Sequence, residues 1–152
     1  ATGIVPFYKT IIISNNLKDE LTKTQLLAII FHEIGHHEKR HILKLFFVNI
    51  VLQSIFFWMF FLVNRINFDV AIFEPLSIAI VGGIGGFIFW YVPSKISFLF
   101  EYQADKYSAD YYNKDEIMIA LTKLDEISGG EISKGNYSHP NLQKRLKNIK
   151  NQ

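Results

Sequence analysis

The sequence predicts a mainly α-helical chain in which a two-helix membrane hairpin separates two amphipathic parts. Three observations predict it. Residues 45–63 and 75–94 contain no charged side chain, and each matches the roughly 20 apolar residues that a helix needs to cross about 30 Å of hydrocarbon. Outside them, apolar residues recur at helical spacing. Histidines and carboxylates gather just before the first apolar stretch and just after the second.

The elements follow in chain order. Tyr8–Ser14 is rich in β-branched residues and reads as a short strand, able to pair with the backbone of an extended peptide. Thr24 is a candidate cap for a helix running through His32, His36 and His41 toward the first apolar stretch. The stretches 45–63 and 75–94 form the hairpin. Trp58, Trp90 and Tyr91 lie toward its ends, where amphipathic rings favour the headgroup zone. Gly82 and Gly86 are spaced to let two helices approach in lipid, or to kink one. Residues 96–112 read as helix. Asn113 and Glu116 resemble a capping box. The apolar face Ile117, Ala120, Leu121 and Leu124 follows, and Gly129-Gly130 stops it. Pro140 opens a last helix with Leu142, Leu146 and Ile149 inward.

With 152 residues the chain fits one domain, with 1–44 and 95–152 as its catalytic parts. Hydrophobic residues make up 49% and charged residues 20%, so distribution matters more than the average. A net charge of +2 without a basic, aromatic-interleaved block argues against nucleic acid as a partner. The absence of cysteine excludes disulfides and thiolate metal sites. No signal peptide is read at Ala1-Thr2-Gly3, and further spans upstream remain open. Lys39, Arg40, Lys44 and Lys95 flank the hairpin, whereas its loop sets Arg65 against Asp69 and Glu74. The positive-inside bias puts the flanks, and with them both termini, on the cytoplasmic side.

His32-Glu33-Ile34-Gly35-His36 is an HExxH motif. Positions four apart share a helix face, so both imidazoles can reach one ion, and Glu33 can reach a water on it. His37-Glu38-Lys39-Arg40-His41 repeats the pattern. A five-residue offset turns the helix by about 140°, so the copies cannot serve one site. Apolar residues surround the first copy and suit a buried site. Lys39 and Arg40 inside the second suit solvent or headgroups, which leaves His37 a surface residue and His41 near the membrane boundary. A catalytic site needs a third protein ligand and one open position. Beyond the hairpin, Glu101 and Asp105 share a face. Glu101 suits the third ligand and Asp105 a hydrogen bond to a ligand imidazole. A di-iron centre is rejected, because both ExxH pairs lie on one helix and point apart.

Together these motifs resemble the integral-membrane zinc metalloproteases (gluzincins) that include the CAAX prenyl proteases and the heat-shock protease HtpX. HEIGH followed by His41, EYQAD at 101–105, and Ser138-His139-Pro140 followed by Arg145 carry the resemblance. EYQAD and SHPNLQKRL stand closer to the CAAX branch. The resemblance implies a zincin-like fold and one zinc ion on His32, His36 and Glu101. It implies Glu33 as general base, Asp105 behind the ligands, and His139 and Arg145 at the oxyanion. It implies peptide or protein substrates beside a lipid bilayer. CAAX prenyl proteases are longer and build a chamber from seven spans, which two spans cannot enclose. A catalytically silent metal-binding sensor or scaffold is the alternative from another class.

Overall fold

A computed structural model describes residues 11–65 and 73–152. They form helices α1 (Asn15–Glu20), α2 (Lys23–Glu38), α3 (His41–Val63), α4 (Phe73–Tyr111), α5 (Lys114–Ile127), α6 (Glu131–Lys134) and α7 (Leu142–Lys150). No strand occurs among the described residues. Of the strand expected over Tyr8–Ser14, positions 11–14 are irregular and the remainder lies outside the described residues. Asp69 lies outside them too.

α2 is capped by Thr22, one residue pair earlier than expected. Thr22 accepts a hydrogen bond from the Gln25 amide, and the Gln25 side chain accepts one from the Thr22 amide. This reciprocal box satisfies two amides that the helix leaves open. Thr24 falls inside the first turn, its hydroxyl 3.0 Å from that of Thr22. The expected continuous helix into the membrane is broken. α2 ends at Glu38, and Arg40 adopts a left-handed φ of 53° before α3 begins at His41.

α3 and α4 form the hairpin. Both are long and apolar enough to span a bilayer, and their most apolar windows contain no buried residue. Phe47, Trp58, Phe87 and Trp90 are all more than half exposed. A contiguous apolar surface of this kind needs lipid around it. Polar side chains within the span satisfy themselves: Asn49 donates to the Leu45 carbonyl and Ser54 to the Ile50 carbonyl. The helices touch at Gly85, where a Cβ would collide with the Phe56 ring. At Gly82, Gly83 and Gly86 a Cβ would meet open space, so the Gly82/Gly86 pair is not the contact within the hairpin. α4 continues unbroken through Pro93, joining the second apolar stretch to residues 96–111 as one rod. Segments read separately from the sequence are therefore one continuous helix.

Beyond the membrane stretch, α2, α5 and α7 pack around the end of α4. The core there is small: Ala28, Ile117, Ala120, Leu121, Leu142 and Ile149. Asn113 caps α5 by accepting from the Asp115 and Glu116 amides. Gly129 and Gly130 end α5 with φ of 68° and 85°, a geometry glycine adopts without steric cost. Asn141 rather than Pro140 caps α7, accepting from the Lys144 amide.

The α2–α4 seam is built from small residues. Ala28 and Ala104 are fully buried, and Ser108 donates to the Ala28 carbonyl at 2.7 Å. A Cβ on Gly35 would lie 2.9 Å from the Tyr107 Cβ and 3.2 Å from the Ala104 Cα. Neither atom can swing away. Gly35→Ala therefore forces the helices apart, at a cost of about 1–3 kcal/mol for overpacking, partly offset by the better helix propensity of alanine, about 1 kcal/mol. The expected net result is a lower melting temperature together with weakened metal binding, measurable by thermal denaturation and metal titration in detergent.

Candidate metal centre

The close seam sets the site. His32 and His36 project from one face of α2, and α4 brings Glu101 and Asp105 against them. One ligand atom from each of His32, His36 and Glu101 lies within 4.8 Å of the others. His32 Nε2 is 3.2 Å from His36 Nε2 and 3.7 Å from Glu101 Oε2, and His36 Nε2 is 3.4 Å from Glu101 Oε1. His32 and Glu101 are buried, and His36 is half-buried.

Behind these atoms stands a charged network. His32 Nδ1 lies 3.0 Å from Asp105 Oδ1. Asp105 is fully buried and accepts from two guanidinium nitrogens of Arg145, Nε at 2.8 Å and Nη2. Arg145 Nη1 is 3.3 Å from Glu101 Oε2. His139 Nδ1 is 3.0 Å from Glu101 Oε1, and its side chain is half exposed. Burial alone would raise the Asp105 carboxyl, but the Arg145 guanidinium outweighs it and holds the group below the usual carboxylate range. Glu101 is likewise held far below that range against burial, by a hydrogen bond from His139, the neighbouring His36 ring and the charge of Arg145. The hydrogen bond to Glu101 pushes His139 up, against its partial burial.

These residues fit a divalent cation. Facing the Asp105 carboxylate, His32 keeps its proton on Nδ1, so Nε2 presents a lone pair. That lone pair faces a carboxylate oxygen, Glu101 Oε2, which is buried, accepts no well-formed hydrogen bond and has Arg145 Nη1 3.3 Å away. A divalent cation between these converging electron-rich atoms would satisfy them together. Two imidazoles and a carboxylate match the donor set of catalytic zinc sites.

The centre opens into a cleft of about 560 Å³. Glu33, His139 and Arg145 line it beside the three metal-site residues, and Ile29, Leu121, Leu124 and Ile132 form an apolar wall. The loop carrying His139 is organised by Asn136, whose side-chain oxygen accepts from the Ser138 and His139 amides. Ser97 on α4 donates to the Ser138 carbonyl at 2.8 Å and ties the loop down. Gly135 takes φ of 66° against the Asn141 backbone to start this turn.

Six of the seven residues singled out from the sequence line one cleft, and Asp105 stands fully buried behind them. Arg145 lines the cleft with its N–H groups facing two carboxylates, Asp105 and Glu101. His37 is half-buried and outside the cluster. The sequence reading missed Asn136, Gln103 and the burial of His41, which is 3% exposed. A histidine at the end of the second motif was a signal for the last of these, but helix geometry pointed it away from the site.

The family described as Peptidase family M48 matches residues 1–152. The chain is 27% identical over 153 aligned residues to the CAAX prenyl protease 1 homolog of Mus musculus, covering 90% of this chain and 32% of that protein. The chain thus spans about a third of the length of that relative. No solved structure matches.

Proposed function

The chain belongs to peptidase family M48, and from that premise we propose that it is a membrane-bound zinc endopeptidase acting at the cytoplasmic face. The convergence of His32 Nε2, His36 Nε2 and the Glu101 carboxylate carries this reading. His32, His36 and Glu101 would hold the ion. Zinc in such a site supplies an acidified water and a Lewis acid for the scissile carbonyl.

The chain's own groups do the rest. Glu33 follows the first ligand on α2 and lines the cleft. It takes the proton of the attacking water and passes it to the leaving amine. His139, half exposed and held through Nδ1 by Glu101, donates to the oxyanion. Arg145 acts at one remove: it fixes Asp105, which orients the His32 ring, and it braces Glu101. The apolar wall of Ile29, Leu121, Leu124 and Ile132 receives an apolar side chain beside the scissile bond.

Membrane geometry supports the location. Lys95 marks the end of the charge-free part of α4, with its ammonium over the Tyr91 and Phe98 rings. Glu101 follows six residues later, about 9 Å along the helix. Cleavage therefore occurs close to the membrane surface. The exposed Lys39, Arg40, Lys44 and Lys95 favour the cytoplasmic side.

The test is cleavage of an unfolded reporter protein by the detergent-purified chain with zinc, after chelation, and after zinc is restored. Loss and recovery of cleavage are expected. Bound zinc without any cleavage would replace the enzyme by a silent metal-binding membrane protein.

A further inference from the structure

His41 closes the second HExxH motif and opens α3. On an uninterrupted helix it would point about 140° away from His36. The left-handed Arg40, φ 53°, breaks the helix and returns the His41 ring beneath His36. His41 Nδ1 lies 3.0 Å from His36 Nδ1. His41 Nε2 lies 3.0 Å from the side-chain oxygen of Gln103 on α4. The ring stacks on Phe100, with centroids 4.2 Å apart and planes 3° from parallel. A left-handed non-glycine residue is strained and persists where surrounding structure holds it, often beside functional sites.

The proton positions along this chain follow from chemistry. A neutral imidazole has one N–H and one lone pair. The Gln103 oxygen only accepts, so His41 Nε2 carries the proton. His41 Nδ1 is then a lone pair, which the N–H of His36 Nδ1 must satisfy. His36 Nε2 is thereby left as a lone pair aimed at His32 and Glu101. Reversing the chain would turn an N–H toward the ion and abolish coordination.

We propose that His41 is a positioning residue that fixes the tautomer and ring plane of His36, with Gln103 setting the direction of the hydrogen-bond chain. The inference rests on the reading of His32, His36 and Glu101 as a metal site. It gives each ligand histidine its own support at Nδ1. His32 has a carboxylate braced by Arg145, and His36 has a neutral imidazole braced by Gln103 and Phe100.

The experiment measures zinc affinity of the full chain in detergent by competition with a chromophoric chelator, alongside melting of the metal-free protein. H41F keeps an aromatic ring over Phe100 but loses the acceptor, and zinc affinity should fall about 10–100-fold. H41N places an amide oxygen where Nδ1 stood and should bind zinc close to the parent. Q103L releases the direction of the chain and should weaken zinc binding with little change in melting. Parent-like affinity in H41F, or equal losses in H41F and H41N, would overturn the proposal. If H41F does not fold, unchanged affinity in Q103L overturns it instead. A parent that binds no zinc would overturn the metal site itself, and this proposal with it.

Discussion

Glu33→Gln should lower peptide cleavage by about 10²–10⁴-fold, the usual contribution of a positioned general base, while leaving zinc affinity near that of the parent. The substitution preserves size and hydrogen-bonding shape but removes the basic oxygen. Glu33 lines the cleft beside the metal-site residues without belonging to the group of three that converge. Catalysis and metal binding should therefore separate in this variant. Reporter cleavage and a zinc titration on the same preparation check both halves. Cleavage at the parent rate would move the proton transfer to another group, and His139 is the other titratable residue at the cleft whose Nδ1 faces Glu101. Loss of zinc together with loss of cleavage would make Glu33 part of the metal site.

Arg145→Met should destabilise the folded chain by about 3–5 kcal/mol, as removal of one partner from a buried ion pair does. The Arg145 side chain is 7% exposed and that of Asp105 is fully buried. Methionine fills much of the volume but leaves the Asp105 carboxylate without its counter-charge and Glu101 Oε2 without its 3.3 Å neighbour. Two carboxylates then face each other across the site with the imidazoles as their remaining partners. The expected readout is a large drop in the melting temperature of the metal-free protein. Zinc should recover part of that loss, because an ion bound to the folded state alone stabilises it by mass action. A melting temperature within a degree or two of the parent would show that the pair contributes little, and would return Arg145 to a direct role at the oxyanion. The contrast with Glu33→Gln is the useful one: the base should affect rate and spare stability, whereas the arginine should affect stability first.

Much of this was legible in the sequence for definite reasons. Charge-free stretches of spanning length can only be helices in lipid, since each backbone group must bond within its own segment. HExxH places two imidazoles on one helical face because 3.6 residues make a turn. Asn113, Gly129 and Gly130 mark helix ends through chemistry confined to a few neighbouring residues. Other features were illegible because they depend on neighbours distant along the chain. Thr24 was read as the cap, and the Gln25 side chain folding back selects Thr22 instead. Gly82, Gly83, Gly85 and Gly86 look alike in sequence, and only the position of Phe56 selects Gly85 as the contact.

The sequence by itself determined the helices, the apolar hairpin and the residue types able to hold a cation. It did so because periodicity, charge and capping act within a turn or two of chain. Tertiary structure alone decided what each group faces. Packing of α7 against α4 turned Arg145 toward Asp105 and Glu101, where solvent at a basic helix end was equally compatible with its neighbours in sequence. One left-handed residue, Arg40, carried His41 back beneath His36, which no helical periodicity could show. Local rules thus set which groups are present, and contacts between α2 and α4, distant in the chain, set their protonation, direction and use.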